Sequence, residues 1–354
     1  MKTVKALYHE WGLNMKLIRT EDAVGQVICH DMTQIIRGVT KDARFRKGHI
    51  ITEDDIPVLL SIGKDHIYVW ENDESMMHEN EAAEVLCAMC KGANISRGDV
   101  KEGKIELTAE CDGVFRIDRE KLMAVNSFGQ MMIATRHGDF PVNKGDRLAG
   151  TRIIPLVIEK EKMEQVKAAA GDEPIMKVEP YINRRAGIVT TGNEVFYGRI
   201  KDEFTPVVIS KLREFGAEVA GTKMSDDSSD NIERCIREFL DEGCDMVICT
   251  GGMSVDPDDR TPLAIRNVCG DAVTYGAPVL PGAMFMLAYY GDKKIPVMGL
   301  PGCVMYAGRT VFDLVLPRIM TGELLEKSDL DRLGEGGLCL NCKPCTFPNC
   351  GFGK

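Results

Sequence analysis

The sequence lacks long apolar runs, and it has no surplus of positive charge. No stretch approaches the ~18 consecutive apolar residues that a membrane-spanning helix needs, so no membrane contact is expected. Lys and Arg number 44 against 54 Asp and Glu, which gives a formal net charge of -10, and no basic stripe alternates with aromatic residues. Nucleic acid is therefore excluded as an expected partner.

Two further absences concern the cellular compartment. The N-terminal stretch "MKTVKALYHEWGLNMKLIRTED" carries charges throughout and has no apolar core of roughly 7 to 15 residues, which a secretory signal needs. Thirteen cysteines are present, but nine of them are scattered without the spacing of a disulfide framework. Such cysteines suit a reducing compartment, where they act as small buried apolar residues. The sequence therefore predicts a cytoplasmic protein.

The length of 354 residues exceeds the roughly 250 to 300 residues at which a single core stops growing, so several domains are expected. Short runs such as "KIELTAECDGVFRID", separated by Asp-Gly and Lys-Gly turns, are typical of β-strands. The run "EKEKMEQVKAAAGDEP" predicts a charged helix and then a turn. We predict five segments: an N-terminal α+β region (1–63), a β-rich module (64–160), a linker (161–182), an α/β domain (183–325) and a Cys-rich tail (326–354).

Strand and helix patterns alternate from about residue 186 onward. Buried strands are predicted at "AGIVTTG", "AEVAGTK" and "DMVICT", and amphipathic helices at "TPVVISKLREFG", with Thr205 as its N-cap, and "SSDNIERCIREFLDEG". This alternation predicts an α/β fold with a doubly wound, mostly parallel sheet, preceded by the smaller α+β region and the β-rich module. In such sheets ligands bind beyond the carboxyl ends of the strands, where "TTGNE", "MSDDSSD", "TGGMSVDPDDRT" and "LPGCVMYAGR" are expected.

These four loops combine glycines with carboxylates. Glycine at positions 251 and 252 lets the backbone approach a ligand closely, and the helix that starts at Thr261-Pro262 adds a second group of amides for an anion. Carboxylates beside such a cradle would repel a phosphate unless a divalent cation lay between them. We therefore expect Asp259 and either Asp226 or Asp227 to bind Mg2+, with Glu194 as a further ligand or general base.

A simpler interpretation applies to each loop by itself. A Gly-Gly pair can be an ordinary strand exit, and the aspartates can cap helices, so only the four loops together favour a site. This half of the sequence has no histidine, which excludes imidazole-based chemistry unless another part of the protein supplies it. The chain also lacks G-x-G-x-x-G, P-loop and G-x-S-x-G motifs, which disfavours dinucleotide binding, P-loop phosphate transfer and serine hydrolysis.

At these motifs the sequence resembles the molybdopterin-binding fold of the MoeA and MogA families and of gephyrin. "TTGNEV", the acids 226 and 227, "TGGMSVDPDDRTP" and "GLPG" carry the resemblance, which covers about 186–322. It implies a homodimer that binds molybdopterin or adenylated molybdopterin. In the MoeA reaction, adenylated molybdopterin is split with Mg2+ and molybdate is transferred to the dithiolene, and a molybdoenzyme is the final acceptor.

The resemblance also implies roles for individual residues. The implied catalytic acids are Asp259, Asp227, Asp226 and Glu194, of which Asp259 and Asp227 would bind Mg2+. The implied contacts to the pterin and its phosphate are Thr191, Gly192, Thr250, Gly251, Gly252, Ser254, Thr261, Pro301 and Gly302.

The sequence departs from the MoeA pattern in three places. "YGAPVLPGAMF" contains no lysine where MoeA has a lysine-rich segment, "LPGCVMY" replaces Leu-Pro-Gly-Asn-Pro, and the C-terminal β domain of MoeA has no counterpart. Two alternatives therefore stay open. The Asp-x-Thr-Pro motif favours a MogA-like molybdopterin adenylyltransferase, whereas the missing lysines favour a non-catalytic carrier or sensor of molybdopterin.

The C-terminal stretch "CLNCKPCTFPNC" contains four closely spaced cysteines. Cys339, Cys342, Cys345 and Cys350 form a C-x2-C-x2-C-x4-C pattern. Four thiolates suit a structural zinc ion or an iron-sulfur cluster, and the spacing differs by one residue from the bacterial ferredoxin run. The simpler alternative is a disordered, reduced tail. The density of cysteines and the intervening prolines favour a metal site.

Overall fold

A computed structural model describes residues 16–36, 40–69 and 75–354. Contacts divide the chain into two compact units. The first comprises the residues up to Glu110 together with Ile117–Arg136 and Gly145–Lys177, and the second comprises Cys111–Arg116, His137–Lys144 and Val178–Lys354. The five segments expected from composition stay predictions, and parts of the first two (1–15, 37–39 and 70–74) lie outside the described residues.

Short strands and helices make up the described residues between 16 and 180. The strands pair in the orders β1-β4, β2-β3, β5-β12, β6-β7-β11-β9 and β10-β8-β13. Their bounds are β1 Lys16–Arg19, β2 Met32–Ile36, β3 Thr40–Phe45, α1 Asp55–Ser61, β4 His66–Val69, β5 Met76–His78, α2 Glu79–Cys90, β6 Ile95–Arg97, β7 Lys104–Ala109, β8 Gly113–Ile117, α3 Arg119–Ser127, β9 Met131–Thr135, β10 Phe140–Val142, β11 Arg147–Ile153, β12 Val157–Glu159, α4 Lys160–Ala170 and β13 Met176–Pro180.

Helix α4 occupies much of the predicted linker. Met163, Val166 and Ala170 are at most 1% exposed, and they recur at the three- and four-residue spacing of one helix face. Their burial places the helix within the first unit. The linker at 161–182 stays a prediction, and the structure adds that the charged sequence of this helix contains a narrow, buried apolar stripe.

The rest of the chain forms the sheet predicted from the alternating pattern. The strand order is β15-β14-β16-β19-β18-β17, and the β14/β15, β14/β16 and β16/β19 pairs are parallel. Its elements are β14 Arg185–Thr191, α5 Asn193–Phe196, α6 Phe204–Glu214, β15 Glu218–Ser225, α7 Ser229–Asp241, β16 Met246–Thr250, α8 Thr261–Cys269, β17 Thr274–Tyr275, β18 Met286–Tyr290, β19 Ile295–Leu300, α9 Val311–Met320 and α10 Lys327–Asp331.

Both faces of this sheet are covered by helices. Successive strand residues point to opposite faces. Ile188 and Ile248 pack in one core with residues of α6 and α9, whereas Val189 and Val247 pack in another with residues of α7 and α8. The predicted α/β fold with a doubly wound, mostly parallel sheet is therefore confirmed. The antiparallel edge strands β17 and β18 were not predicted.

The start of α6 differs from the prediction. Thr205 does not cap the helix; instead Asp202 accepts hydrogen bonds from the amides of Phe204 (2.8 Å) and Thr205 (3.0 Å). The Thr205 hydroxyl points into the fold and lies 2.7 Å from the hydroxyl of Thr190. Asp202 therefore supplies the acceptor that the first amides of the helix require.

None of the helices in the described part of the chain combines the length and the hydropathy that a membrane span requires.

Candidate functional site

The parallel register brings the predicted loops to one edge of the sheet. Thr190 pairs with Thr250, and Thr250 pairs with Leu300. On the other side, Thr191 pairs with Ser225. Because these pairs lie at the last residues of β14, β15, β16 and β19, the segments that begin at residues 192, 226, 251 and 301 leave the sheet side by side.

A network of threonine hydroxyls lies under this edge. Thr191 Oγ1 donates to the carbonyl of Thr250 (3.1 Å), and Thr261 Oγ1 donates to the carbonyl of Gly251 (2.9 Å). The hydroxyls of Thr191 and Thr261 lie 3.1 Å apart, and that of Thr250 donates to Thr190 (3.3 Å). All four threonines are at most 4% exposed. Of the threonines that the sequence assigned to ligand contacts, Thr191 and Thr261 therefore hold backbone carbonyls at this edge, and the Thr250 hydroxyl bonds to Thr190.

The Gly-Gly pair follows β16 because no other residue fits there. Gly251 has φ +85°, and a Cβ at this position would lie 2.3 Å from the carbonyl oxygen of Thr191. Gly252 has φ +53°, and its Cβ would lie 2.9 Å from Thr261 Oγ1. Both positions combine a left-handed backbone with close contact to buried atoms. The loop backbone therefore lies directly on the end of β14.

This glycine loop forms one wall of a groove of about 530 Å³. The groove contains six of the residues that the sequence assigned to the site: Gly251, Gly252, Ser254, Asp259, Pro301 and Gly302. The remaining lining is Met253, the segment 280–284, Cys303 and Tyr306. None of these residues was assigned to the site individually, although Met253, Cys303 and Tyr306 lie in loops that were expected at this edge. One indication was present, because Leu280-Pro281-Gly282 repeats the triplet Leu300-Pro301-Gly302.

The groove has an unusual charge distribution. Among its lining residues Asp259 carries a charge, and none is Lys or Arg. The hydroxyl of Tyr275 donates to the carbonyls of Met253 (3.1 Å) and Ser254 (3.2 Å), and so ties the loop to β17. Burial raises the pKa of Tyr275, and the charge of Asp259 raises it further. The charge of Asp259 therefore affects the tyrosine hydroxyl that holds the loop in place.

Asp227 lies beside the other acids of the site. Its Oδ2 accepts a hydrogen bond from the amide of Asn193 (3.0 Å), at the start of α5. Burial raises the pKa of Asp227; the Asn193 amide lowers it, whereas the charges of Glu194, Asp259 and Asp258 raise it. Carboxylates from three loops therefore repel one another at this edge of the sheet.

Asp226 has a different role. Its carboxylate accepts hydrogen bonds from the amide of Ser228 (3.1 Å) and from the side-chain amide of Asn231 (2.9 and 3.1 Å). Both donors belong to the first turn of α7 and the residue before it. Of the two alternatives for the second magnesium ligand, the structure therefore favours Asp227, because the carboxylate of Asp226 already accepts hydrogen bonds from the start of α7.

Glu194 and Gly192 lie outside the lining of the groove. The Glu194 side chain is exposed, and its carboxylate bends back over the loop. A Cβ on Gly192, which has φ +136°, would lie 2.9 Å from Glu194 Oε1. Glycine at position 192 thus makes room for this carboxylate.

The acids match the way in which proteins bind Mg2+. In the described part of the chain, no three His, Cys, Asp or Glu side chains are placed to bind a metal ion by themselves. Mg2+ is usually held by one or two carboxylates together with the phosphates of a substrate. Asp259 lines the groove, whereas Asp227 lies outside its lining. Both are of the residue type that binds such a cation, and the magnesium site stays a prediction.

The raised pKa of Asp227 leads to a stability prediction. A folded-state pKa above the unfolded value means that the ionised carboxylate destabilises the fold at pH 7, and that this cost disappears below the unfolded pKa of about 4. We therefore expect Asp227→Asn to raise the free energy of unfolding at pH 7 but not at pH 3.5. Urea titrations at the two pH values measure the difference.

The neighbouring acid supplies the contrast. Asp226→Ala should lower the free energy of unfolding by about 1 kcal/mol, because it removes the acceptor at the start of α7. If Asp227→Asn lowered the free energy of unfolding at pH 7, as Asp226→Ala should, the ionised carboxylate of Asp227 would stabilise the fold and the prediction would be wrong.

Two parts of the chain match known families. Residues 187–321 match the family described as "Probable molybdopterin binding domain", and residues 17–71 match a domain of unknown function, DUF8806. The resemblance predicted from the glycine loop and the acids is therefore confirmed for the region that contains the groove.

Curated relatives match the chain over a shorter stretch. A CinA-like protein of Mycobacterium avium (strain 104) is 35% identical over 98 residues, which are 28% of this chain and 23% of the relative. A CinA-like protein of Mycobacterium tuberculosis (strain H37Rv) is 35% identical over 89 residues, which are 25% and 21% of the two chains. The chain thus spans less than a quarter of the length of these relatives.

Among solved structures, the molybdopterin biosynthesis enzyme MoaB of Thermus thermophilus is 23% identical, with a TM-score of 0.35, over 40% of this chain and 98% of that one. MoaB of Pyrococcus furiosus, described as a tungsten cofactor synthesizing protein, is 19% identical, with a TM-score of 0.31, over 34% and 84%.

Proposed function

We propose that the groove binds molybdopterin with its terminal phosphate on the Gly251-Gly252 loop. We propose further that the chain, with Mg2+, splits adenylated molybdopterin while molybdate enters the dithiolene. One observation carries the proposal: in the region that matches a molybdopterin-binding family, the groove joins a close-packed glycine loop to a single acid, Asp259.

The backbone of the glycine loop suits an anion. Within the described residues, the amides of Gly252, Met253 and Ser254 donate to no protein acceptor. Successive amides in a loop with left-handed residues form a concave site for phosphate oxygens. The Thr191 and Thr261 hydroxyls below, and the Tyr275 hydroxyl beside it, fix this loop before a ligand arrives. A preformed loop binds a phosphate without the cost of ordering the chain.

The acids determine which form of phosphate the groove accepts. A phosphate beside Asp259, with no Lys or Arg in the lining, is repelled unless a cation screens it. Asp227 and Asp259 are the residues that would bind this Mg2+, which neutralises phosphate charge and polarises the bond to be broken. We propose Glu194, which is exposed and outside the groove lining, as the acceptor of a proton from an attacking oxygen. Asp226 takes no part, because it is bonded to α7.

The test uses the full chain with synthetic substrates. With adenylated molybdopterin, molybdate and Mg2+, we expect release of AMP and loss of free molybdate in equal amounts. Omission of Mg2+ should reduce the rate by at least about tenfold, which corresponds to ~1.4 kcal/mol of lost stabilisation. Chromatography of AMP and of the oxidised, fluorescent pterin measures both. Binding of neither molybdopterin nor its adenylate at micromolar concentration would contradict the proposal.

A second candidate is a carrier that binds the cofactor without turnover. The lining without Lys or Arg favours it, because phosphoryl chemistry usually uses fixed cations to stabilise the transition state. Tight binding of molybdopterin with no release of AMP would select this candidate. Consumption of ATP with molybdopterin alone would instead identify a MogA-like adenylyltransferase. The homodimer, the molybdoenzyme acceptor and the cytoplasmic location stay predictions.

A further inference from the structure

The cysteine-rich tail is folded onto the second unit. The amide of Cys339 donates to the carbonyl of Leu280, and the amide of Leu280 donates to the carbonyl of Gly337, both at 2.8 Å. Phe352 is 4% exposed and belongs to the core under the sheet. The amide of Gly353 closes the loop by a hydrogen bond to Gly336 (2.9 Å). The alternative of a disordered tail is therefore wrong.

The four cysteines of the tail surround one cavity. This cavity has a volume of about 180 Å³. Cys342 and Cys345 are exposed, Cys339 and Cys350 are partly buried, and all four are free thiols. The other lining residues are mainly apolar or glycine, with one cation, and comprise Arg309, Gly336, Leu338, Leu340, Thr346, Phe347, Gly351 and Phe352.

Aromatic side chains hold the tail in this shape. The ring of Phe347 lies 6.3 Å from the rings of Phe140 and Phe352. The guanidinium of Arg309 lies 4.9 Å from the centre of the Phe347 ring, and it is fixed by ion pairs to Glu214 and Asp313 at 2.9 Å. The cavity therefore has rigid apolar walls and a fixed positive charge, although its rim carries four nucleophilic thiols.

The described residues contain no ready-made site for a single metal ion. Zn–S bonds of about 2.3 Å place the four sulfurs of a tetrahedral site within ~3.8 Å of one another. In the described residues no three cysteines come together in this way. A cavity needs only about 10 to 15 Å³ to admit one water molecule, and the space among these thiols exceeds this more than tenfold. The cysteines thus face a space that suits a larger, polynuclear group.

We infer that Cys339, Cys342, Cys345 and Cys350 bind a 4Fe-4S cluster in this cavity. Such clusters take four cysteine thiolates. Cys339, Cys342 and Cys345 have the C-x2-C-x2-C spacing with which three ligands of one cluster are supplied in bacterial ferredoxins, and Cys350 lines the same cavity as the fourth thiol. Phe347 and Phe352 supply apolar walls, and the guanidinium of Arg309 lines the same cavity. This inference concerns a site separate from the groove and does not depend on the proposed function.

The experiment compares the full chain with cysteine variants after anaerobic purification. We expect about four iron and about four sulfide ions per chain, and a visible absorption that dithionite bleaches. Cys342→Ser and Cys345→Ser should each lose more than half of the iron, because each removes a thiolate ligand. These two positions are exposed, so the substitutions leave the packing intact, which circular dichroism checks.

Two control variants separate ligand loss from general damage. Lys343→Ala lies in the same loop, and Cys269→Ser removes a thiol outside the tail; both should keep the full iron content. One zinc ion per chain without iron, or no bound metal, would overturn the assignment. Iron that persists in both Cys342→Ser and Cys345→Ser would overturn it as well.

Discussion

The Asp259→Asn variant is expected to lose at least about 100-fold in the Mg2+-dependent release of AMP from adenylated molybdopterin. This loss corresponds to on the order of 3 kcal/mol of transition-state stabilisation. Asp259 is the charged residue in the lining of the groove, and its carboxylate acts on Asp227 and on Tyr275. Asparagine keeps the shape but provides no charge for Mg2+. Quenched-flow measurement of AMP at saturating Mg2+ determines the rate.

The same loop offers a matched control. Asp256 is exposed, and it contributes its carbonyl, not its carboxylate, to the hydrogen bond from the Asp259 amide (2.9 Å). Asp256→Asn should therefore keep the rate within about twofold, because it removes one charge from the loop without touching the groove. Equal activity of the Asp259→Asn variant and the unmodified protein would refute the assignment of Asp259, whether or not the chain binds molybdopterin.

The Gly251→Ala variant is expected to lower the free energy of unfolding by on the order of 3 kcal/mol and to abolish pterin binding. The added Cβ would lie 2.3 Å from the carbonyl oxygen of Thr191 on a backbone with φ +85°. Relief of this contact requires the loop to leave the end of β14, which separates the free amides from Asp259. Urea titration followed by circular dichroism measures stability, and fluorescence of the oxidised pterin measures binding.

Gly302→Ala tests whether the effect is specific to the backbone conformation. Gly302 also lines the groove, but a Cβ at this position meets no atom within 4 Å. We expect the variant to unfold at the same urea concentration as the unmodified protein. If Gly251→Ala were as stable as the unmodified protein, the close contact between the loop and β14 would contribute nothing to the stability of the fold.

Much of the second unit could be predicted from the sequence because its strands are buried on both faces. Apolar runs such as Arg185–Thr191 alternate with amphipathic helices, and this pattern predicts parallel strands but not their order in the sheet. Strand β18 was missed, since the apolar run at Met286–Tyr290 fits a strand or a buried helix equally well. Its antiparallel pairing with β19 follows from a tight turn at 291–294 that we did not weigh.

The sequence predicted those parts of the site at which the backbone conformation admits only one residue type. It did not predict the parts that form where segments distant in the chain come together. Gly251 and Gly252 follow from the backbone conformation that the loop requires. The choice between Asp226 and Asp227 depends on Asn231, one helical turn later, because its side-chain amide donates a hydrogen bond to the carboxylate of Asp226. The wall formed by residues 280–284 depends on the return of the chain through β17 and β18, and this pairing cannot be read from local sequence.

The two hydrogen bonds between Leu280 and the tail join a wall of the groove to the segment that begins the cysteine cavity. Leu280 lines the groove, and its carbonyl accepts from Cys339, the first cysteine at the cavity. Ligands that order two segments joined in this way are thermodynamically linked, and the coupling is reciprocal. Removal of the proposed cluster should therefore weaken the proposed binding of pterin, and a bound pterin should slow the loss of iron by the same linkage.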